Sequence, residues 1–350
     1  MSASVSERTE VPMEPSSPGD RAGFEQAAAQ FVEGFRRIHK EISKVIVGHD
    51  ALIEDVLTGL FAGGHVLLEG VPGIGKTMLV STLANTVDCA FSRIQFTPDL
   101  MPSDIIGTRV VNEDDEGRKH FTFQKGPVFT QVLLADEINR ATPKTQSALL
   151  EAMQEKAVTV AGQRHRLDPP FFVLATQNPL EMEGTYPLPE AQLDRFLFKL
   201  LVGFPSITDL MEVARRTTVR EMPRASVVLK SADVIRMSEV VRDVPIAAHV
   251  EQYAARLLVA THPGSPHETP MVKQYVKYGA SPRGLQAMIL GGKVRALLDG
   301  RYNVSVDDLR KVAPPALRHR LILNFEGEAE EIRTDAIIAE IIEKTPVDVR

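Results

Sequence analysis

One short stretch limits this chain more than anything else in it: Gly70-Val71-Pro72-Gly73-Ile74-Gly75-Lys76-Thr77. It fulfils every defined position of G-x-x-x-x-G-K-S/T, the phosphate-binding loop. The context is also right, because the apolar run Val66 to Leu68 precedes it and a helical stretch from Thr77 to Leu83 follows. Glycines let backbone N–H groups turn inward around phosphates, and a helix N-terminus adds favourable potential for an anion. Lys76 is expected to reach the β- and γ-phosphates, and the Thr77 hydroxyl to ligate Mg²⁺. Gly70, Pro72, Gly73, Ile74, Gly75, Lys76, Thr77 and Met78 are thus the expected nucleotide-binding residues.

A loop of this kind needs a sheet to carry it, and the chain supplies one. The runs His65 to Glu69, Phe91 to Phe96, Val132 to Ala135 and Phe171 to Thr176 are short, apolar and bounded by Gly, Pro or charge. They read as strands buried on both faces, and helices between them imply a parallel sheet with right-handed crossovers. Val132-Leu133-Leu134-Ala135-Asp136-Glu137 delivers two carboxylates at the C-terminal end of such a strand, where open α/β sheets bind ligands. Asp136 is expected to hold Mg²⁺ and Glu137 to orient and deprotonate an attacking water. No Asn-Lys pair occurs anywhere in the chain, which counts against the guanine-specific element Asn-Lys-x-Asp and leaves ATP as the expected nucleotide.

After Pro205 the strand signal fades. Helical spacing covers Ile207 to Arg216, Ala232 to Val241, His249 to Ala260, Pro282 to Leu298, Val306 to Leu317 and Glu331 to Glu343, with Ser305 and Asp308 forming a capping box. Ahead of the sheet, Phe24 to Val47 and Ala51 to Phe61 are also helical, with a break at Gly48. The expected fold class is an α/β P-loop NTPase with an αβα three-layer parallel sheet, followed by a smaller all-helical lid. Expected domains are a disordered tail over residues 1–20, a nucleotide-binding domain over 21–204 and a lid over 205–350.

Composition excludes other classes. The formal net charge of −6 argues against nucleic acid as the main partner, without excluding a local basic patch. The single cysteine, Cys89, cannot form an internal disulfide and reads as a small buried apolar residue rather than a reactive thiol. The N-terminal segment is acidic and Pro/Ser-rich, unlike a signal peptide, and no stretch is apolar enough to span a membrane. A cytoplasmic protein is expected. His65 and His165 stand alone on strands, and no Cys/His cluster has metal spacing, so Mg²⁺ is the expected metal.

Asp136-Glu137-Ile138-Asn139-Arg140-Ala141, Lys144 through Glu155, and Gly184-Thr185-Tyr186-Pro187-Leu188-Pro189-Glu190-Ala191-Gln192-Leu193-Asp194-Arg195-Phe196 are longer and more specific strings. They resemble the MoxR family of AAA+ ATPases, and the resemblance runs over about residues 30 to 345. It implies an αβα AAA+ core, a helical lid, ATP and ADP as ligands, and homo-oligomeric rings, often hexamers. It also implies chaperone-like maturation of protein complexes, often beside a von Willebrand A domain partner.

The resemblance assigns further roles. Asn178, just past the strand Phe171 to Thr176, is similar to the sensor 1 residue that helps place the water; the alternative is a loop Asn before Pro179. Arg195 resembles the arginine finger that reaches a neighbouring subunit's γ-phosphate, and the alternative is an intrachain salt bridge with Asp194. Arg283 resembles sensor 2, in the first turn of a helix capped by Ser281, where a cation opposes the helix dipole and so hints at an anionic partner. Val47 and Gly48, within Ile46-Val47-Gly48, resemble the segment that packs on adenine and serve equally as a helix–helix turn. Gly107 to Phe123 corresponds to the family's insert in its second helix. Val158 to Leu167 reads as a β-hairpin turning at Gly162, with Arg164, His165 and Arg166 as a basic tip that is either solvated or a client contact.

Three rivals share parts of this pattern. A magnesium-chelatase-type motor subunit differs mainly in its client. A DNA-acting AAA+ motor is disfavoured by the acidic balance and by the absence of a Gly-Ala-Phe-Thr-Gly-Ala loop. A nucleotide sensor without turnover would have no need of Glu137 as a base.

Overall fold

The computed structural model describes residues 18–70, 75–115, 117–178, 185–221 and 223–347. Residues 1 to 17 of the tail expected over 1–20, and the phosphate-loop positions 71 to 74, lie outside the described residues. Two helices precede the sheet, α1 (Pro18–Val45) and α2 (Asp50–Phe61). The first begins ahead of Phe24 and takes in residues 18 to 20, which the sequence had assigned to the tail. Phe31, Phe35, Ile38 and Ile42 recur at helical spacing and are buried together. Phe31 and Phe35 meet Phe61 of α2 with ring centroids 5.3 and 5.8 Å apart.

The chain then alternates: β1 (Val66–Gly70), α3 (Lys76–Thr86), β2 (Phe91–Gln95), α4 (Pro102–Ile106), β3 (Gly107–Glu113), β4 (Lys119–Lys125) and β5 (Val132–Asp136). It continues through α5 (Pro143–Glu155), β6 (Ala157–Val160), β7 (Gln163–Arg166), β8 (Phe172–Gln177), α6 (Glu190–Leu193) and β9 (Phe198–Val202). The main sheet has the order β2-β5-β8-β1-β9 and every pairing in it is parallel. Alternation along β1 sends Val66 and Leu68 to one core and Leu67 to the other, so the sheet is packed on both faces. Burial of each such side chain contributes about 1.5–3 kcal/mol.

Two expectations about the strands need correction. Phe91 to Phe96 is not buried on both faces: β2 lies at the sheet edge, and Arg93 and Gln95 are exposed. The fifth strand, β9, was absent from the sequence reading and pairs along β1 from Val66↔Phe198 to Gly70↔Val202. Its Lys199 interrupts the apolar run and is satisfied at 2.8 Å by the Glu69 carboxylate, a partner visible only across the sheet.

The expected insert falls on the antiparallel hairpin β3–β4, which runs on to Lys125. The hairpin β6–β7 packs beside it, with His165 stacked on Phe123 at 4.1 Å between ring centroids, so His165 is not a free member of a basic tip. At the base of β3–β4, a Cβ on Gly126 would stand 2.3 Å from the Ile105 carbonyl oxygen and 2.5 Å from the Gly107 nitrogen. Backbone atoms cannot yield as a flexible side chain does. Gly126→Ala should therefore destabilise the protein by about 1–3 kcal/mol, the usual cost of overpacking. Urea unfolding checks this, and an unchanged midpoint would refute the close packing.

Beyond the sheet come α7 (Ile207–Thr217), α8 (Ser231–Asp243), α9 (Ala248–Ala260), α10 (Pro270–Tyr275), β10 (Val276–Tyr278) and α11 (Pro282–Leu298). α12 (Val306–Leu317), β11 (Ile322–Leu323), α13 (Phe325–Ala329) and α14 (Thr334–Lys344) complete the described part. The capping box forms, with the Ser305 N–H donating to the Asp308 carboxylate at 2.8 Å and the Asp308 N–H to Ser305 Oγ at 3.3 Å. The lid also holds an antiparallel ribbon of β10 and β11, too short to leave a period in the sequence. Cys89 is buried and its thiol is pushed up to about 11, chiefly by burial, which makes it inert near neutral pH. No helix among the described residues is long and apolar enough to cross a membrane.

Candidate functional site

β1 runs through the sheet interior and ends at Gly70, and α3 starts at Lys76. Gly75 is its N-cap, with φ of +80°, a left-handed conformation that a side chain would oppose. Lys76 Nζ donates to the Gly70 carbonyl at 2.8 Å, folding back across the loop mouth. Burial pushes its ammonium below the usual lysine value, opposed by the carboxylates of Asp136 and Glu137. Thr77 and Met78 occupy the first turn of α3. Pro72, Gly73 and Ile74 lie outside the described residues.

β5 ends at Asp136, whose carboxylate accepts from Thr176 Oγ1 and from Arg93 Nη2, each at 2.7 Å. Glu137 follows in the left-handed region at φ 56°, a conformation that costs a non-glycine residue about 1 kcal/mol. Its N–H donates to Thr176 Oγ1 at 2.8 Å, so the end of β8 holds the turn. The Glu137 carboxylate then accepts from Gln95 Nε2 at 2.7 Å and from Arg140 at 3.0 Å. Beneath the turn, the buried Gln146 amide donates to the carbonyls of Ile138, Ala141 and Tyr186 at 3.2, 3.1 and 2.8 Å. Asn178, buried at the end of β8, completes a cleft of about 570 Å³ lined also by Lys76, Thr77, Met78, Asp136 and Glu137. That volume suits a nucleotide-sized ligand.

Four other expected residues lie elsewhere. Arg195 is absent from the cleft lining of its own chain and borders a separate hollow of about 190 Å³ beside Ser147, Glu151 and Gln192. Asp194 is not its partner, because that carboxylate is engaged by Ser281 Oγ at 2.7 Å, Arg320 Nε at 2.8 Å and Arg283 Nη1 at 3.4 Å. Arg283 itself sits in the first turn of α11, and its N–H donates to the cap Ser281 at 3.2 Å. Val47 and Gly48 are not among the described residues lining the cleft, and the Asp209 carboxylate leaves no room for a side chain at Gly48.

Sequence reasoning missed Arg93, Gln95, Thr176 and Arg320. A signal for the first two exists in hindsight: polar residues two apart on an apolar strand share one face and need a purpose there. Thr176 and Arg320 carry no local signal, since their partners are 40 and 126 residues away.

Mg²⁺ prefers hard oxygen donors and keeps several waters. The Thr77 hydroxyl and the Asp136 carboxylate line the same cleft and meet that requirement. No group of three or more His, Cys, Asp or Glu among the described residues offers another metal site.

Residues 65–198 match the model of the ATPase family associated with various cellular activities, and residues 269–341 match an AAA lid domain. The chain is 45% identical to Chaperone MoxR1 of Mycobacterium tuberculosis, covering 94% of this chain and 86% of that protein. It is 31% identical to Protein MoxR of Methylorubrum extorquens, covering 94% and 98%. A crystal structure of a protein from Cytophaga hutchinsonii superposes with a TM-score of 0.87 at 41% identity, covering 94% of this chain and 99% of that one.

Proposed function

Because this chain belongs to the MoxR family of AAA+ ATPases, we propose that it hydrolyses Mg²⁺–ATP and uses the cycle to remodel or mature protein complexes. The observation that carries the reading is the single cleft that gathers Lys76, Thr77, Asp136, Glu137 and Asn178 at the C-terminal ends of β1, β5 and β8. The chaperone part rests on the name of the mycobacterial relative. A protein client, a von Willebrand A domain partner, a hexameric ring and a cytoplasmic location complete the proposal. So does the division into a nucleotide-binding domain over 21–204 and a lid over 205–350.

Each residue has a task in this reading. Gly70 to Met78 cradle the phosphates, with the Lys76 ammonium on the β- and γ-oxygens. Thr77 and Asp136 would hold Mg²⁺, which neutralises charge on the phosphate oxygens when bound. Glu137 takes the proton of the attacking water, with its carboxylate held in aim by Gln95 and Arg140. Asn178 helps to place that water. Val47 and Gly48 contact the adenine, and Arg283 senses the phosphates from the lid. Arg195 serves the neighbouring subunit's cleft, in accord with its absence from its own.

Lys76→Ala tests the binding half. It removes the ammonium that borders the loop, so titration with a fluorescent ATP analogue should show binding lost and phosphate release absent. Wild-type affinity in this variant would overturn the assignment of the cleft.

A further inference from the structure

The main chain around Arg195 is held by the lid. At the C-terminal end of α12, Arg318 Nη1 donates to the Lys199 carbonyl at 3.0 Å, and His319 Nε2 to the Phe196 carbonyl at 3.1 Å. Arg320 does more. Its Nη2 donates to the carbonyls of Asp194 and Phe196 at 3.0 and 2.7 Å, its Nη1 to Leu197 at 3.2 Å, and its Nε to the Asp194 carboxylate at 2.8 Å. Arg320 is only 6% exposed. A buried guanidinium is tolerated only while its partner stays in place, so Arg320 and Asp194 move as one body.

The same carboxylate reaches the start of α11. Ser281 Oγ donates to it at 2.7 Å and Arg283 Nη1 at 3.4 Å. The Arg283 contact lies at the long end of the hydrogen-bond range, and its side chain is 44% exposed. A nucleotide phosphate, with more charge and better geometry, would draw Arg283 away from it. On the other side of Asp194, Arg195 has a buried Nε without a hydrogen-bond partner among the described residues. The Arg195 side chain has no ion-pair partner within its own chain among the described residues and borders the hollow beside Ser147, Glu151 and Gln192, which leaves its guanidinium available to a neighbouring chain.

From this juxtaposition we infer that Asp194 is a positioning residue linking the two sites one subunit serves. The state of a subunit's own cleft, felt at Arg283, sets how its Arg195 is offered to the neighbour. The inference rests on the proposed roles of Arg195 and Arg283. It adds the physical link between them: the lid grips residues 194 to 199 through Arg318, His319 and Arg320, and Arg283 shares the carboxylate at the centre of that grip.

The test is Asp194→Asn in the full chain, measured by fluorescent-nucleotide titration and by phosphate release. Affinity and KM should stay within about threefold of wild type while kcat falls about tenfold or more, the pattern of an interaction realised only in the transition state. Mixing with Glu137→Gln protein should restore activity, because that chain presents an intact Asp194–Arg195 end to the Asp194→Asn clefts. Mixing with Arg195→Ala should restore nothing, since both lesions lie at the same end. Should Asp194→Asn fail to fold, the double variant Asp194→Asn/Arg320→Gln strands no charge and carries the same measurements. Normal turnover in Asp194→Asn beside an inactive Arg195→Ala overturns the link alone, and so does a loss of nucleotide affinity in the folded variant. Normal turnover in Arg195→Ala overturns the shared-site reading and this inference with it.

Discussion

Arg195→Ala should bind ATP nearly as tightly as wild type and yet turn over about 10³-fold more slowly, the range expected for an arginine finger. Binding survives because Lys76 and the first turn of α3 remain in the cleft, which Arg195 does not line. Turnover falls because a planar guanidinium no longer meets the charge that develops on the transferred phosphoryl group. A residue acting on the neighbour also makes catalysis depend on assembly, so wild-type specific activity should rise with protein concentration. The decisive measurement mixes Arg195→Ala with Glu137→Gln. Each chain lacks a different half of the site, and mixed rings contain some interfaces with both halves intact. Partial recovery of phosphate release is expected. If mixed oligomers form and stay inactive, Arg195 acts within its own chain and the shared site is wrong.

Glu137→Gln should keep Mg²⁺–ATP affinity and lose hydrolysis by about 10²-fold or more, the usual contribution of a general base. The substitution preserves length and shape, so the left-handed turn at φ 56° and its hydrogen bond to Thr176 remain. What disappears is the charge proposed to accept the water's proton, and with it the ion pair to Arg140. Phosphate release over a single turnover, with binding titrated in parallel, separates the two effects. Turnover close to wild type would remove Glu137 from the reaction. A variant that binds without hydrolysing should also retain the proposed protein clients, and a pull-down with it in ATP is the direct route to their identity.

Much of the core was readable beforehand, and its limits are physical. The strands β1, β5 and β8 announce themselves because strands buried on both faces must be continuously apolar. β2 and β9 lie at the two edges, where one side of the strand is free to be polar. Mixed composition hides both: the apolar residues of β2 suggest burial on both faces although Arg93 and Gln95 are exposed, and Lys199 breaks the apolar run of β9. α11 and α12 follow the predicted ranges because a long helix repeats its apolar period enough times to be recognised. The ribbon of β10 and β11 repeats nothing.

The same division holds at the site. Local chemistry determined that the chain carries a phosphate-loop sequence motif, a carboxylate pair at a strand end and a capped lid helix, because each is written within a few consecutive residues. Only the tertiary structure decided what those residues touch. Arg93 closes on Asp136 and Gln95 on Glu137 across neighbouring strands. Arg320 secures Asp194 from the far end of the lid, and Arg195 falls outside its own cleft. Hydrogen bonds and ion pairs depend on atoms within about 3 Å, and packing sets those distances between segments that the sequence holds tens of residues apart.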